Sequence, residues 1–364
     1  MTSREPVLVD LALQGGGAHG AFTWGVLDRL LEEDWLTIEG ISGTSAGAMN
    51  AAVLADALAR DGVDGARTAL EAFWRKVSDA ARLSPFQRTP LDILLGRWTL
   101  DYSPAFVAMD VMSRLFSPYE LNPHGENPLR EILDQCVDFE HLTGSPIKLF
   151  VTTTNVHTGR PRIFRNDDIT PDALLASACL PTLFQAIEID GESYWDGGYS
   201  GNPTITPLIR ECRSQDTILV QINPIERAET PRSARNILNR LNEISFNSVL
   251  LKELRMIALL RQVSDPGNTE GTLGQYAHAS HFERGIASAR LLLEAQCRMA
   301  VSMPAARSGP RGGGRFPRRK QRRPWPPLIA RPRRPAAGRL RMRVACHRHD
   351  DPHAIVSAGR GKPR

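Results

Sequence analysis

Ser45 lies in Gly43-Thr44-Ser45-Ala46-Gly47, a G-x-S-x-G pentad. At a strand-to-helix corner this spacing makes a nucleophile elbow. The turn is too tight for side chains at the flanking positions, and the serine hydroxyl is left exposed at the end of a strand. Such a hydroxyl can attack a carbonyl carbon if a base takes its proton and if donors hold the resulting oxyanion. Donors are offered upstream by Gly15, Gly16 and Gly17, which precede Ala18-His19-Gly20. A glycine loop between a strand and a helix aims backbone N–H groups and the positive end of a helix dipole at one spot. The same six residues also fit a G-x-G-x-x-G dinucleotide loop, or a bare tight turn. The dinucleotide reading lacks the acidic residue that should end the second strand, because that strand runs into the serine elbow.

The base is less evident. His124 and His141 stand in polar, loop-like surroundings, and His157 follows an apolar run and is the best-placed imidazole. His19, inside the glycine loop, is better placed to support the oxyanion region than to accept the serine proton. Asp196, in Tyr194-Trp195-Asp196-Gly197-Gly198-Tyr199, directly follows a strand pattern and precedes two glycines that allow close backbone approach. Asp-Gly-Gly is also an ordinary hairpin turn. From the residues alone, His157 and Asp196 both remain open.

The elements that must position these groups alternate. VLVDLAL (7–13) reads as a buried strand, and 22–31 carries apolar residues at helical spacing. A second strand over 37–42 leads through GTSAG into a helix, and 64–77 repeats a helical pattern. Further strands are expected at 147–156, around RIF (162–164), as a pair around IEIDGESYW, and at 217–223. Helices are expected from Pro171 to the stop at Pro181, and over 234–260 as one long amphipathic element. Strands alternating with helices imply an α/β fold with a mostly parallel sheet covered on both faces. The Pro-rich stretch 84–128 reads as an irregular cap. Its Phe86, Leu91, Ile93, Leu94, Leu95, Trp98, Phe106, Val107, Met109 and Met112 suit an acyl slot or lid, and equally the packing of a helical cap.

The ordered set GGGAHG, GTSAG and DGG strongly resembles the patatin-like phospholipases, over about residues 7–260, and the SACLPTLF segment (177–184) is typical of that family. The resemblance implies a three-layer patatin-like fold and acyl-ester hydrolysis by a Ser–Asp dyad in place of a triad. On it, Ser45 is the nucleophile and Asp196 the base. Gly15, Gly16 and Gly17 form the oxyanion hole, and His19, Gly20, Gly43, Gly47, Gly197 and Gly198 support the motifs. His19 departs from the Arg or Lys often found at its position in the family. No cofactor or metal is implied. The expected partner is an acyl lipid, with peripheral membrane contact left open and no nucleic acid bound by the core. A catalytically silent scaffold on the same fold is the competing expectation.

Charge divides the chain. Of its 45 Lys and Arg, 18 lie beyond residue 300, against 2 of the 40 Asp and Glu. Residues 1–300 therefore hold 27 basic and 38 acidic groups, a balance of −11, and the formal net charge of +5 comes from the tail. The five cysteines have no pairing or ligand spacing, and no leader-like or membrane-spanning apolar run is seen, so a cytoplasmic setting is expected. A catalytic domain over 1–262, an irregular segment over 263–302 and a disordered Arg/Pro/Gly-rich tail over 303–364 are expected. The tail also reads as the product of a shifted frame. LLLEAQCRMAVS (291–302), displaced by one base with suitable codons, gives SSSKLNAEWRFL. That is similar to a stretch following the long helix in related bacterial proteins. The switch would then fall within 263–276.

Overall fold

The computed structural model describes residues 6–83, 112–113, 115–264 and 341–346. Eight strands form one sheet: β1 (Val7–Leu13), β2 (Leu36–Thr44), β3 (Lys148–Asn155), β4 (Pro161–Arg165), β5 (Ile187–Ile189), β6 (Glu192–Asp196), β7 (Asp216–Gln221) and β8 (Arg341–Cys346). The order is β5-β6-β3-β2-β1-β7-β8, with β4 also paired to β3. β1, β2, β3, β7 and β8 run parallel, whereas β4, β5 and β6 form antiparallel pairs.

The helices are α1 (Gly20–Leu30), α2 (Ala46–Leu83), α3 (Pro118–Leu121), α4 (Leu129–Cys136), α5 (Phe139–Thr143), α6 (Pro171–Ser177), α7 (Thr206–Glu211) and α8 (Ala234–Ser264). The two helical patterns expected after the elbow are the two segments of α2, which breaks at Gly62 (φ 69°, ψ −162°).

Alternation along the central strands sorts the core into two layers. Val9, Leu11 and Leu13 of β1, Leu149 and Val151 of β3, and Ile218 and Val220 of β7 pack with α1, α2, α4 and α6. Their neighbours Ala12, Phe150 and Leu219 point the other way, against Ile205 and Leu208 near and in α7 and Leu250 and Ile257 of α8. Both faces are buried, so these strands read as near-continuous apolar runs. Each fully buried Leu or Ile stabilises the sandwich by about 1.5–3 kcal/mol relative to exposure. The three-layer α/β architecture is the one expected.

Residues 84–111, which carry most of the expected acyl-slot side chains, lie outside the described residues, and so does nearly all of 263–364. Within the basic tail the structure describes one strand, β8, whose register on β7 runs from Asp216↔Arg341 to Gln221↔Cys346.

Candidate active site

The sheet register brings the serine and the aspartate together. β2 pairs with β3 as far as Thr44↔Thr152 and then ends. β6 pairs with β3 from Thr153↔Asp196 onward. Since β4 occupies the other edge of β3 over Phe150–Thr154, β6 takes over the edge that β2 vacates. Asp196 therefore stands one step in register beyond Thr44, beside the elbow that begins with Ser45.

Ser45 joins β2 to α2 with φ 54°, in the left-handed region that a non-glycine residue adopts at a cost of roughly 1–2 kcal/mol. The surroundings hold it there. Its N–H donates to Ser177 Oγ (2.9 Å), and its carbonyl accepts from the Met49 N–H (3.1 Å). Gly43 and Gly47 are required by proximity. A Cβ on Gly43 would lie 2.6 Å from the Gly47 carbonyl oxygen, and one on Gly47 would run into the carbonyl of Leu13. The elbow is thus pressed against the end of β1.

Asp196 ends β6 and is 2% exposed. Its carboxylate accepts the Gly198 N–H (2.7 Å), and the Ser45 side chain lies near enough to act on its proton affinity. Burial pushes its pKa up to about 7, and the Gly198 N–H and the Ser45 side chain oppose that rise. Its main chain is fixed as well, with the N–H donating to the Cys179 carbonyl (2.8 Å) and the carbonyl accepting from Thr154 Oγ1 (2.8 Å). Gly197 backs onto Thr152 and Thr44, and Gly198 lies directly under the Phe246 ring of α8. The Cys179 thiol and the Tyr199 phenol sense the Asp196 charge. Burial first, and that charge second, push both upward, the thiol to about 12. Both therefore stay neutral at neutral pH.

The glycine loop follows β1 as expected and abuts the elbow. A Cβ on Gly15 would sit 2.7 Å from Ser45 Cβ. Its anchor is Gln14, fully buried, whose Oε1 accepts from the Ile222 and Asn223 N–H groups (2.8 and 2.7 Å). The Gln14 Nε2 donates to Asn247 Oδ1 of α8 (2.8 Å). The Gly15 N–H donates to Asn202 Oδ1 at 2.7 Å. That N–H is therefore engaged inside the protein rather than open, a contact the sequence does not signal. Gly17 has φ 57° with open space around it, so backbone conformation selects glycine there. Gly20 packs against Ala46 and Trp74. His19 is exposed, with Nδ1 3.2 Å from the Gly16 carbonyl oxygen.

The candidate histidines lie in other settings. His157 is exposed at the surface beside Glu192 (3.4 Å), whereas the Ser45 side chain acts on the Asp196 carboxyl. His141 pairs with Asp56 (3.1 Å) and ties α5 to α2, and His124 is exposed in a loop. Among the described residues no group of three or more His, Cys, Asp or Glu could hold a metal ion. Ser177, Asn202 and Gln14 were missed as parts of the site. Only Ser177 carried a signal, as a polar residue closing the apolar run Ala173–Ala176 and opening SACLPTLF.

The family model for patatin-like phospholipase matches residues 11–209, more than half of the chain and the whole stretch from the glycine loop to beyond Asp196. The chain belongs to the patatin-like phospholipase family. Membership in this lipid acyl hydrolase family accounts for a glycine loop, a serine elbow and an Asp-Gly-Gly turn on one sheet. No curated protein matches the chain. Among solved structures, VipD from Legionella pneumophila is 19% identical, with 71% of this chain and 56% of that one covered and a TM-score of 0.33. The ExoU–SpcU complex of the type III secretion system of Pseudomonas aeruginosa is 17% identical, with 82% and 65% covered and a TM-score of 0.30. The chain spans less than two thirds of the length of each.

Proposed function

We propose that the protein hydrolyses carboxylic esters of acyl lipids, phospholipids among them, through a Ser45–Asp196 dyad carried by residues 1–262. The observation that carries this reading is the sheet register, which sets the buried Asp196 carboxylate one step beyond the end of β2 and beside Ser45, with its pKa pushed to about 7. A carboxylate in water is too weak a base for a serine hydroxyl. One with its proton affinity tuned to the working pH is suited to general-base catalysis.

On this reading the reaction has two halves. Ser45 Oγ attacks the ester carbonyl carbon while its proton passes to the Asp196 carboxylate. The carbonyl oxygen, now an oxyanion, is held by the Gly16 and Gly17 N–H groups, with α1 adding the positive end of its dipole. The tetrahedral intermediate collapses, and the departing alkoxide takes the proton from Asp196. Water then attacks the acyl-Ser45 ester, giving its proton to Asp196. The second collapse returns that proton to Ser45 and releases the fatty acid.

The described cysteines, Cys136, Cys179 and Cys212, are free thiols, consistent with a reducing environment. Among the described residues no helix is long and apolar enough to cross a membrane. The test is Ser45→Ala with a p-nitrophenyl acyl ester and a phospholipid panel, together with a fluorophosphonate probe. Expected are labelling of Ser45 in the wild type and loss of hydrolysis in the variant. Full esterase activity without Ser45 would overturn the reading. An unlabelled, inactive wild type would favour the silent scaffold.

A further inference from the structure

The short segment at the end of α6 touches both halves of the dyad. Ser177 is fully buried, and its Oγ does two things at once: it accepts the Ser45 N–H (2.9 Å) and donates to the Thr152 carbonyl of β3 (2.7 Å). Two residues on, the Cys179 carbonyl accepts the Asp196 N–H (2.8 Å). Thr152 is also the residue that pairs with Thr44 at the end of β2. The contacts therefore form a closed figure. The elbow hangs from Ser177, Ser177 is fixed to β3, and the main chain of Asp196 is fixed two residues further along the same segment.

The segment is itself held in place. The Thr170 hydroxyl caps the start of α6 by accepting the Ala173 N–H (3.2 Å). The Cys179 thiol donates to the Gln185 carbonyl (3.0 Å), locking the turn that follows. The first turn of α2 leaves the Ser45 N–H without a helical acceptor, as at every helix start. A positive φ at that residue leaves the turn dependent on whatever partner the N–H finds. Here that partner is Ser177.

We infer that Ser177 is a positioning residue. Together with the Cys179 carbonyl it clamps the Ser45 elbow and the Asp196 main chain to a single segment and so sets the distance between hydroxyl and carboxylate. The inference rests on the dyad reading above and extends it to a group that touches neither substrate nor reacting atoms. Catalysis by aligned groups is steep in distance: a displacement of about 1 Å costs on the order of 100-fold in rate. Loss of the clamp should therefore appear in the chemical step and leave ester binding nearly untouched.

The experiment compares full-length Ser177→Ala with Thr170→Ala, using Ser45→Ala and Asp196→Asn as references. Thr170→Ala removes one hydroxyl from the other end of the same helix, so it matches the structural cost without touching the dyad. Expected for Ser177→Ala is a kcat roughly 10- to 100-fold lower with KM within about twofold of wild type. The fluorophosphonate labelling rate of Ser45 should fall in step. Thr170→Ala should lower the melting temperature and leave kcat and labelling unchanged. If Ser177→Ala does not fold, Ser177→Cys, close in size and a poorer acceptor, is read by the same criteria. Wild-type kcat in the Ser177 variant would overturn the clamp, and so would an equal fall of kcat in Thr170→Ala. Activity surviving in Ser45→Ala or Asp196→Asn would instead overturn the dyad reading itself.

Discussion

Replacing Asp196 by Asn should make the protein inactive and, above neutral pH, more stable. The carboxyl is 2% exposed, and its pKa is raised from 3.8 to about 7, chiefly by burial. An acid whose folded pKa exceeds its unfolded one binds its proton more tightly when folded. At pH well below 4 both states are protonated and the group costs nothing. As pH rises past 4 the unfolded chain ionises first, stability declines, and the decline is complete once pH passes about 7. Each tenfold change in proton affinity is worth ~1.4 kcal/mol, so a rise from 3.8 to about 7 amounts to about 4 kcal/mol at pH 8. Asn has the same shape, and its Oδ1 still accepts from Gly198, but it carries no charge to desolvate. Urea unfolding of both proteins at pH 5 and pH 8 measures the effect. The variant should gain about 2–4 kcal/mol over wild type at pH 8 and clearly less at pH 5. Its kcat on a p-nitrophenyl ester should fall to background. Wild-type activity should rise roughly tenfold per pH unit below about 7 and level off above it, as Asp196 becomes able to accept a proton. Equal stability differences at both pH values would refute the burial argument, and retained kcat would refute the dyad.

Two further outcomes probe the surroundings. Gly198→Ala places a methyl into the Phe246 ring and should cost about 1–3 kcal/mol together with most of the activity, because Gly198 also supplies the N–H that holds Asp196. Adding Phe246→Ala should restore part of both losses in a double-mutant cycle, whereas additive losses would show that the ring is not the obstacle. Asp10→Asn separates burial from catalysis. Asp10 is buried in β1, and its pKa is pushed to about 7, mainly by burial, with the neighbouring Cys212 thiol opposing the rise. By the same sign, stability should rise more at pH 8 than at pH 5, read by melting temperature, while kcat stays unchanged.

What the sequence made legible was whatever only one residue type can do. Glycine at 47, against the Leu13 carbonyl, and serine between two glycines at a strand end admit few other structures. The two-sided burial of β1, β3 and β7 leaves a continuous apolar run that needs no context to be read. The choice of base was not legible from the residues in the same way. Tyr-Trp-Asp-Gly-Gly describes a surface turn as well as a catalytic one. The difference lies in β6 taking over the edge of β3 where β2 stops, a register between strands more than a hundred residues apart. The Gly15 N–H illustrates the same limit. Nothing local marks it as spent, because its acceptor, Asn202, arrives from 187 residues away. Ser177 is the intermediate case, visible as an unexplained polar residue at the end of an apolar run but without a role until Ser45 and Thr152 were placed on either side of it. Local pattern therefore specifies which groups can react. Tertiary hydrogen bonds then engage some of those groups inside the protein, as Asn202 engages the Gly15 N–H here.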